Sequence, residues 1–164
     1  MKECAVLFVC LGNICRSPLA EGIFRDLVIK AGLEDKFRID SCGTGPWHVG
    51  EPPHIESINV ANKHGVSLDG QIARQVKEED FSDFDYIVAM DRSNLRDLKN
   101  LYSKVKRSSL KNTPEMFCLR KYDSFKGSDL DVPDPYYGGP DGFELVFEII
   151  YRCCDNFLKS LPNE

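Results

Sequence analysis

A chain of 164 residues, 42% hydrophobic and 29% charged, carries enough apolar material for one buried core, and 12 Gly and 9 Pro are too few for a fibrous or low-complexity protein. A formal charge of −5 argues against non-specific nucleic-acid binding, and no apolar run reaches the roughly 18 residues of a membrane-spanning helix. The seven cysteines (4, 10, 15, 42, 118, 153 and 154) cannot all pair within the chain, and the short apolar start ending at Cys10 lacks the form of a secretory signal, so reduced thiols in a cytoplasmic protein are expected.

In chain order, CAVLFV at 4–9 reads as a buried strand. The loop CLGNICRS follows at 10–17, and Ser17-Pro18 suits N-cap and N1 of a helix. That helix carries Ala20, Ile23, Phe24, Leu27, Val28 and Ala31 at helical spacing, with Gly32 to close it. A short strand is expected over 37–40 and a Gly/Pro-rich loop over 41–53. Next come a helix over 55–63 stopped by Gly65, a strand over 85–90, and a helix over 94–101 capped by Asp91 or Ser93. A weaker strand is expected over 114–119, then a long polar loop over 120–140. Phe143, Val146, Phe147, Ile150, Cys153, Cys154, Phe157 and Leu161 mark one stripe of a last helix. Residues 92–126 hold ten Lys/Arg against three Asp/Glu, a local +7 that reads as a solvated helix face and loop, with anion steering as the other use. Alternating strands and helices predict an α/β three-layer sandwich, a small parallel sheet with helices on both faces, in a single domain over 1–164.

The loop after the first strand lies where such sheets bind ligands. Successive backbone N–H groups curling into a helix N-terminus make an anion site. Gly12 and Asn13 suit the positive φ that curling needs. Arg16 supplies a fork for two phosphate oxygens, and a positive field favours Cys10 as thiolate, the nucleophilic form. Ser17 is spaced so that its hydroxyl can hydrogen-bond that sulfur.

VCLGNICRSP at 9–18, GTGPWHVG at 43–50, DFDYIVAMDRSNLRDL at 83–98 and DPYYGG at 134–139 together resemble the low-molecular-weight protein tyrosine phosphatases, with animal-type members closest in the Trp of the second loop and the Asp-Pro-Tyr-Tyr sequence. The resemblance implies a protein tyrosine phosphatase of the cytoplasm that forms a phosphocysteine intermediate, with acid phosphatase activity on small aryl phosphates. It implies Cys10 as nucleophile, Arg16 as phosphate clamp, Ser17 as thiolate stabiliser and Asp134 as general acid. It implies Leu11, Gly12, Asn13, Ile14, Cys15, Trp47 and Tyr136 around the substrate, and a reversible Cys10–Cys15 disulfide as redox regulation. In the family a His near the Ala-Arg-Gln segment supports the loop Asn; here Gln71 holds that place, with Ser41 in the same network and Asp91 orienting Arg16. In the family, tyrosines such as Tyr136 and Tyr137 can be phosphorylated. The implied partners are phosphotyrosine proteins or peptides, with inorganic phosphate as product, no nucleic acid, no cofactor and no metal; no motif speaks to oligomeric state, and a monomer is the default expectation.

Three alternatives are weighed against this. Zinc fits Cys10-x4-Cys15 and His48-x5-His54 only loosely, and the 32 residues between Cys15 and His48 are too many for a finger. Arsenate reductase of the same fold relays its disulfide through mid-chain cysteines, of which residues 43–117 hold none. A non-catalytic phosphopeptide-binding module predicts loss of the nucleophile or the acid, and both are present. The remaining five cysteines read as buried small hydrophobes.

Overall fold

The computed structural model describes residues 3–125, 127, 129–135 and 140–162. Tyr136 and Tyr137 lie outside the described residues. Four strands, β1 (Cys4–Cys10), β2 (Phe37–Gly43), β3 (Tyr86–Ala89) and β4 (Glu115–Cys118), form one parallel sheet in the order β2-β1-β3-β4. Between and after them run α1 (Arg16–Lys30), α2 (Ile55–Lys63), α3 (Asp80–Asp83), α4 (Arg92–Ser103) and α5 (Pro140–Ser160).

Residues of β1 alternate between two cores, because successive side chains of a strand point to opposite faces. Val6, Phe8 and Cys10 join α1, α2 and α5, while Ala5, Leu7 and Val9 join Phe81 of α3 and Leu98 of α4. Both faces of the sheet are therefore covered, as the near-continuous apolar runs require. The α5 stripe buries Phe143, Val146, Phe147, Ile150, Cys153, Cys154 and Phe157 against α1. Gly22 lets α1 lie close to the chain after α2: a Cβ there would meet Leu68 Cδ2 at 2.4 Å and the Ser67 carbonyl at 3.2 Å.

Two boundaries differ notably from the sequence expectation, and two short elements add to it. The first helix starts at Arg16 with Cys15 as its N-cap residue, not at Pro18 after Ser17, and no side chain caps it. Ser17 is spent elsewhere, and Pro18 still falls in the first turn, where its missing N–H costs no intrahelical bond. β2 runs to Gly43, into the segment expected as loop, because it pairs with β1 in register from Cys4↔Phe37 to Cys10↔Gly43. That pairing outweighs the loop-forming Gly and Pro composition. No element is expected from the sequence where the short α3 forms, and the 3-10 turn Leu119–Tyr122 runs from the end of the expected strand into the segment expected as loop.

The strand order reverses at β1. The chain leaves β1 for β2 on one side and later enters β3 on the other. The carboxyl ends of β1 and β3 therefore diverge into separate connections, and a cleft opens between them.

Candidate active site

Residues 10–16 wrap around the floor of this cleft. Their carbonyls are tied outward. Cys10 O accepts from Thr44 N–H at 3.0 Å, Leu11 O from Gly45 N–H at 2.9 Å, Ile14 O from His54 N–H at 2.7 Å and Cys15 O from the Ser57 hydroxyl at 3.3 Å. Since C=O and N–H lie on opposite edges of a trans peptide, this turns the N–H edge toward the cleft. The first turn of α1 carries no acidic residue, so its unpaired N–H groups stay available to an anion.

Asn13 takes the bend at φ 58°; Gly12, expected to share the positive φ, does not. Gly12 instead leaves room for His48, whose ring would have to shift for a Cβ there, at 2.9 Å. Every amide atom of Asn13 is bonded. Its Nδ2 donates to Ser17 Oγ at 2.8 Å and Ser41 Oγ at 3.0 Å, and its Oδ1 accepts from Arg74 N–H at 3.0 Å. Gln71 does not reach Asn13. Its Nε2 donates to the Pro18 carbonyl at 3.1 Å, bracing the first turn of α1.

The Cys10 sulfur lies 2.9 Å from Ser17 Oγ and accepts from Asn13 N–H at 3.3 Å. Arg16 is 5% exposed. Its Nη1 donates to Asp91 Oδ2 at 2.7 Å and to the Val132 carbonyl at 3.0 Å. Burial works against the charge of Arg16, but Cys10, Asp91 and Asp134 outweigh it and hold the guanidinium protonated. Asp91 also caps α4, accepting from Asn94 N–H at 2.7 Å.

Cys10, Leu11, Gly12, Ile14, Cys15, Arg16, Trp47, His48 and Asp134 line a cleft of about 270 Å³. Trp47, 69% exposed, stands at its rim with half-exposed Leu11. Asp134 is exposed on the cleft wall, near enough to raise the pKa of both Cys15 and Arg16. Burial, the Cys10 charge and Asp134 push the Cys15 thiol up to about 12. Burial also raises Cys4 and Cys118 to about 11, Cys153 to about 12, and Cys42 and Cys154 well above the ordinary thiol range. Cys4 is only partly buried, unlike the other four of the set expected as core residues.

The segment carrying Asp134 is fixed by contacts that sequence reasoning did not find. Val132 N–H donates to Met90 O at 2.8 Å, Arg92 N–H to Asp131 Oδ1 at 2.8 Å and Arg120 Nη1 to Asp131 O at 2.8 Å. Two arginines of the basic stretch thus hold the acidic segment, which the +7 count could not reveal. His54 accepts from Glu56 N–H at the start of α2, and His64 stacks on Phe147 at 4.2 Å. His48 Nδ1 meets Glu51 Oε2 at 2.5 Å, so His48 and His54, the pair of the zinc alternative, belong to different local structures.

The sequence model of the low molecular weight phosphotyrosine protein phosphatase family matches residues 5–164. The chain belongs to this family. Low molecular weight protein-tyrosine-phosphatase YfkJ of Bacillus subtilis is 49% identical over 98% of this chain and 97% of its own length. The rat low molecular weight phosphotyrosine protein phosphatase is 47% identical over 95% of this chain and 94% of its own. The crystal structure of YfkJ superposes with a TM-score of 0.87 at 46% identity, covering 98% of this chain and 95% of that one. That of the Drosophila arginine phosphatase superposes at 0.88 and 36% identity, covering 100% of each chain. Membership of the low molecular weight phosphatases thus extends over the sheet, the loop and the segment bearing Asp134.

Proposed function

We propose that this phosphatase hydrolyses phosphotyrosine in proteins and peptides, and small aryl phosphates, through a phosphocysteine intermediate. The reading takes the protein as a cytoplasmic monomer with one domain over 1–164. The observation that carries it is the convergence of the Cys10 sulfur, the buried Arg16 and Asp134 on one cleft.

The Cys10 thiolate attacks phosphorus while the bond from phosphorus to the tyrosyl oxygen breaks. Asp134 gives its proton to that oxygen, so tyrosine leaves neutral. Asp134, now a carboxylate, takes a proton from water. The resulting hydroxide equivalent displaces the Cys10 sulfur, giving inorganic phosphate and restoring the thiolate. Ser17 donates to the sulfur at 2.9 Å and eases its departure in the second step. Loop N–H groups and Arg16 meet the charge spread over the equatorial oxygens, so the route needs no metal. Trp47 at the rim, with Leu11 and Ile14, offers apolar surface to a phenyl ring. Tyr136 is proposed as a further wall from outside the described residues.

The test is phosphate release, in chelator, from matched peptides bearing phosphotyrosine, phosphoserine or phosphoarginine. Turnover of the phosphotyrosine peptide that far exceeds the other two, and that is lost in Asp134→Ala, supports the reading. Equal turnover of phosphotyrosine and phosphoarginine contradicts the phenyl-selective cleft.

A further inference from the structure

Glu21 lies on α1, 6% exposed, and no step described so far uses it. Ser41 Oγ donates to its Oε1 at 2.6 Å, and Arg25 pairs with its Oε2 at 2.8 Å. We propose that Glu21 is a positioning residue for the nucleophile, acting through Ser41 and Asn13 to keep the Ser17 hydroxyl donating to the Cys10 sulfur.

The argument rests on the direction of each hydrogen bond. Arg74 N–H can only donate, so Asn13 Oδ1 must face it and Nδ2 must face the two serines. Ser17 and Ser41 then both accept from Nδ2. Ser17, its lone pair engaged, keeps its proton for an acceptor, and the sulfur at 2.9 Å is better placed than the Cys42 carbonyl at 3.4 Å. Ser41 needs an acceptor for its own proton, and the Glu21 carboxylate supplies it. If the Asn13 amide turned over, Ser41 would have to donate to Asn13 and abandon Glu21. Ser17 would likewise donate to Asn13 and leave the sulfur. The carboxylate thus penalises the one rearrangement that strips the thiolate of its donor. Serines 41 and 17 and Asn13 are all nearly solvent-free, so no water can make good a reversed bond.

Burial raises the Glu21 carboxyl above its ordinary range, and Ser41 and Arg25 offset that only in part. A buried charge of this kind is costly relative to an apolar side chain, which suits a residue kept for direction rather than for stability.

The inference rests on Cys10 being the nucleophile, and its test does not require turnover. Burial pushes the other six thiols up, so iodoacetate at mildly acidic pH spares them and reads the Cys10 sulfur in the folded protein. In Glu21→Gln the single oxygen is claimed by Arg25, which turns the amide NH₂ onto Ser41. Glu21→Gln and Ser41→Ala should each move the pH midpoint of Cys10 alkylation upward, slowing the reaction roughly tenfold below that midpoint, the scale of one lost buried hydrogen bond to a charged group. Both should lower kcat on an aryl phosphate to a similar degree with KM near wild type. The double variant should be no slower than the worse single, because the two act in one chain. Wild-type alkylation in Glu21→Gln, or single losses that multiply in the double variant, would overturn the proposal. If wild type released no phosphate at all, the alkylation series would still decide it.

Discussion

Asp91 divides its carboxylate between two tasks, one oxygen capping α4 and the other holding Arg16, so the helix end and the guanidinium are fixed together. Cys15 shows how one residue's chemistry depends on another's charge. Its thiol is pushed up first by burial and then by the negative sulfur of Cys10. We propose that peroxide converts the Cys10 thiolate to a neutral sulfenic acid, which removes that second cause, and that Cys15 then attacks the Cys10 sulfur, the oxygen leaving as water as the disulfide forms. The expected outcome is that wild type recovers activity with thiol after brief peroxide treatment, whereas Cys15→Ser recovers little because its sulfenic acid oxidises further. Equal recovery of the two proteins would remove this redox role.

At the scale of elements, the site depends on how the 129–135 segment is held. Asp123 has only 1% of its side chain exposed and receives Arg120 at 2.9 Å and Arg152 at 2.9 Å and 3.0 Å. Arg120 in turn holds Asp131 O, so α5 reaches the acid-bearing segment through two ion pairs. Desolvation opposes ionisation of Asp123, but Arg152, Arg120 and the Phe125 N–H overcome it and drive the carboxyl far below its ordinary range. A carboxyl depressed in the folded state contributes stability that is present above its unfolded value of about 4 and lost as pH falls toward its folded one. Asp123→Asn should cost about 3 kcal/mol at neutral pH, since it leaves two arginines short of their shared partner. It should also flatten the acid limb of the stability curve below about pH 4. Urea titrations across pH check both, and an unchanged acid limb would contradict the assignment.

Across the whole molecule, what the sequence revealed was mainly local. Strand, loop and helix from Cys4 to Lys30 follow one another directly, and Cys10, Arg16 and Ser17 sit within one turn-forming segment, so their grouping needed no knowledge of the rest. The buried faces of β1 were readable for the same reason. Contacts between distant segments were not. Arg74 N–H reaches Asn13 across 61 positions, and Arg16 reaches the Val132 carbonyl across 116. A backbone N–H or C=O carries no mark of its partner in the residue type, so neither bond could be anticipated. The true length of β2 was hidden likewise, because its last residues are held by register with β1 rather than by their own propensity. Glu21 went unnoticed because Glu on a helix reads as surface, and only the packing of α1 against β2 makes it interior.

The central claim is that phosphorus passes through Cys10. The most direct measurement mixes the protein with a peptide radiolabelled in its phosphotyrosyl group, quenches within a turnover, and maps the labelled residue by digestion. Label on the peptide containing Cys10, absent from Cys10→Ser, which also releases no phosphate, is the predicted result. Wild-type phosphate release by Cys10→Ser, or label trapped on any other residue, would contradict the account.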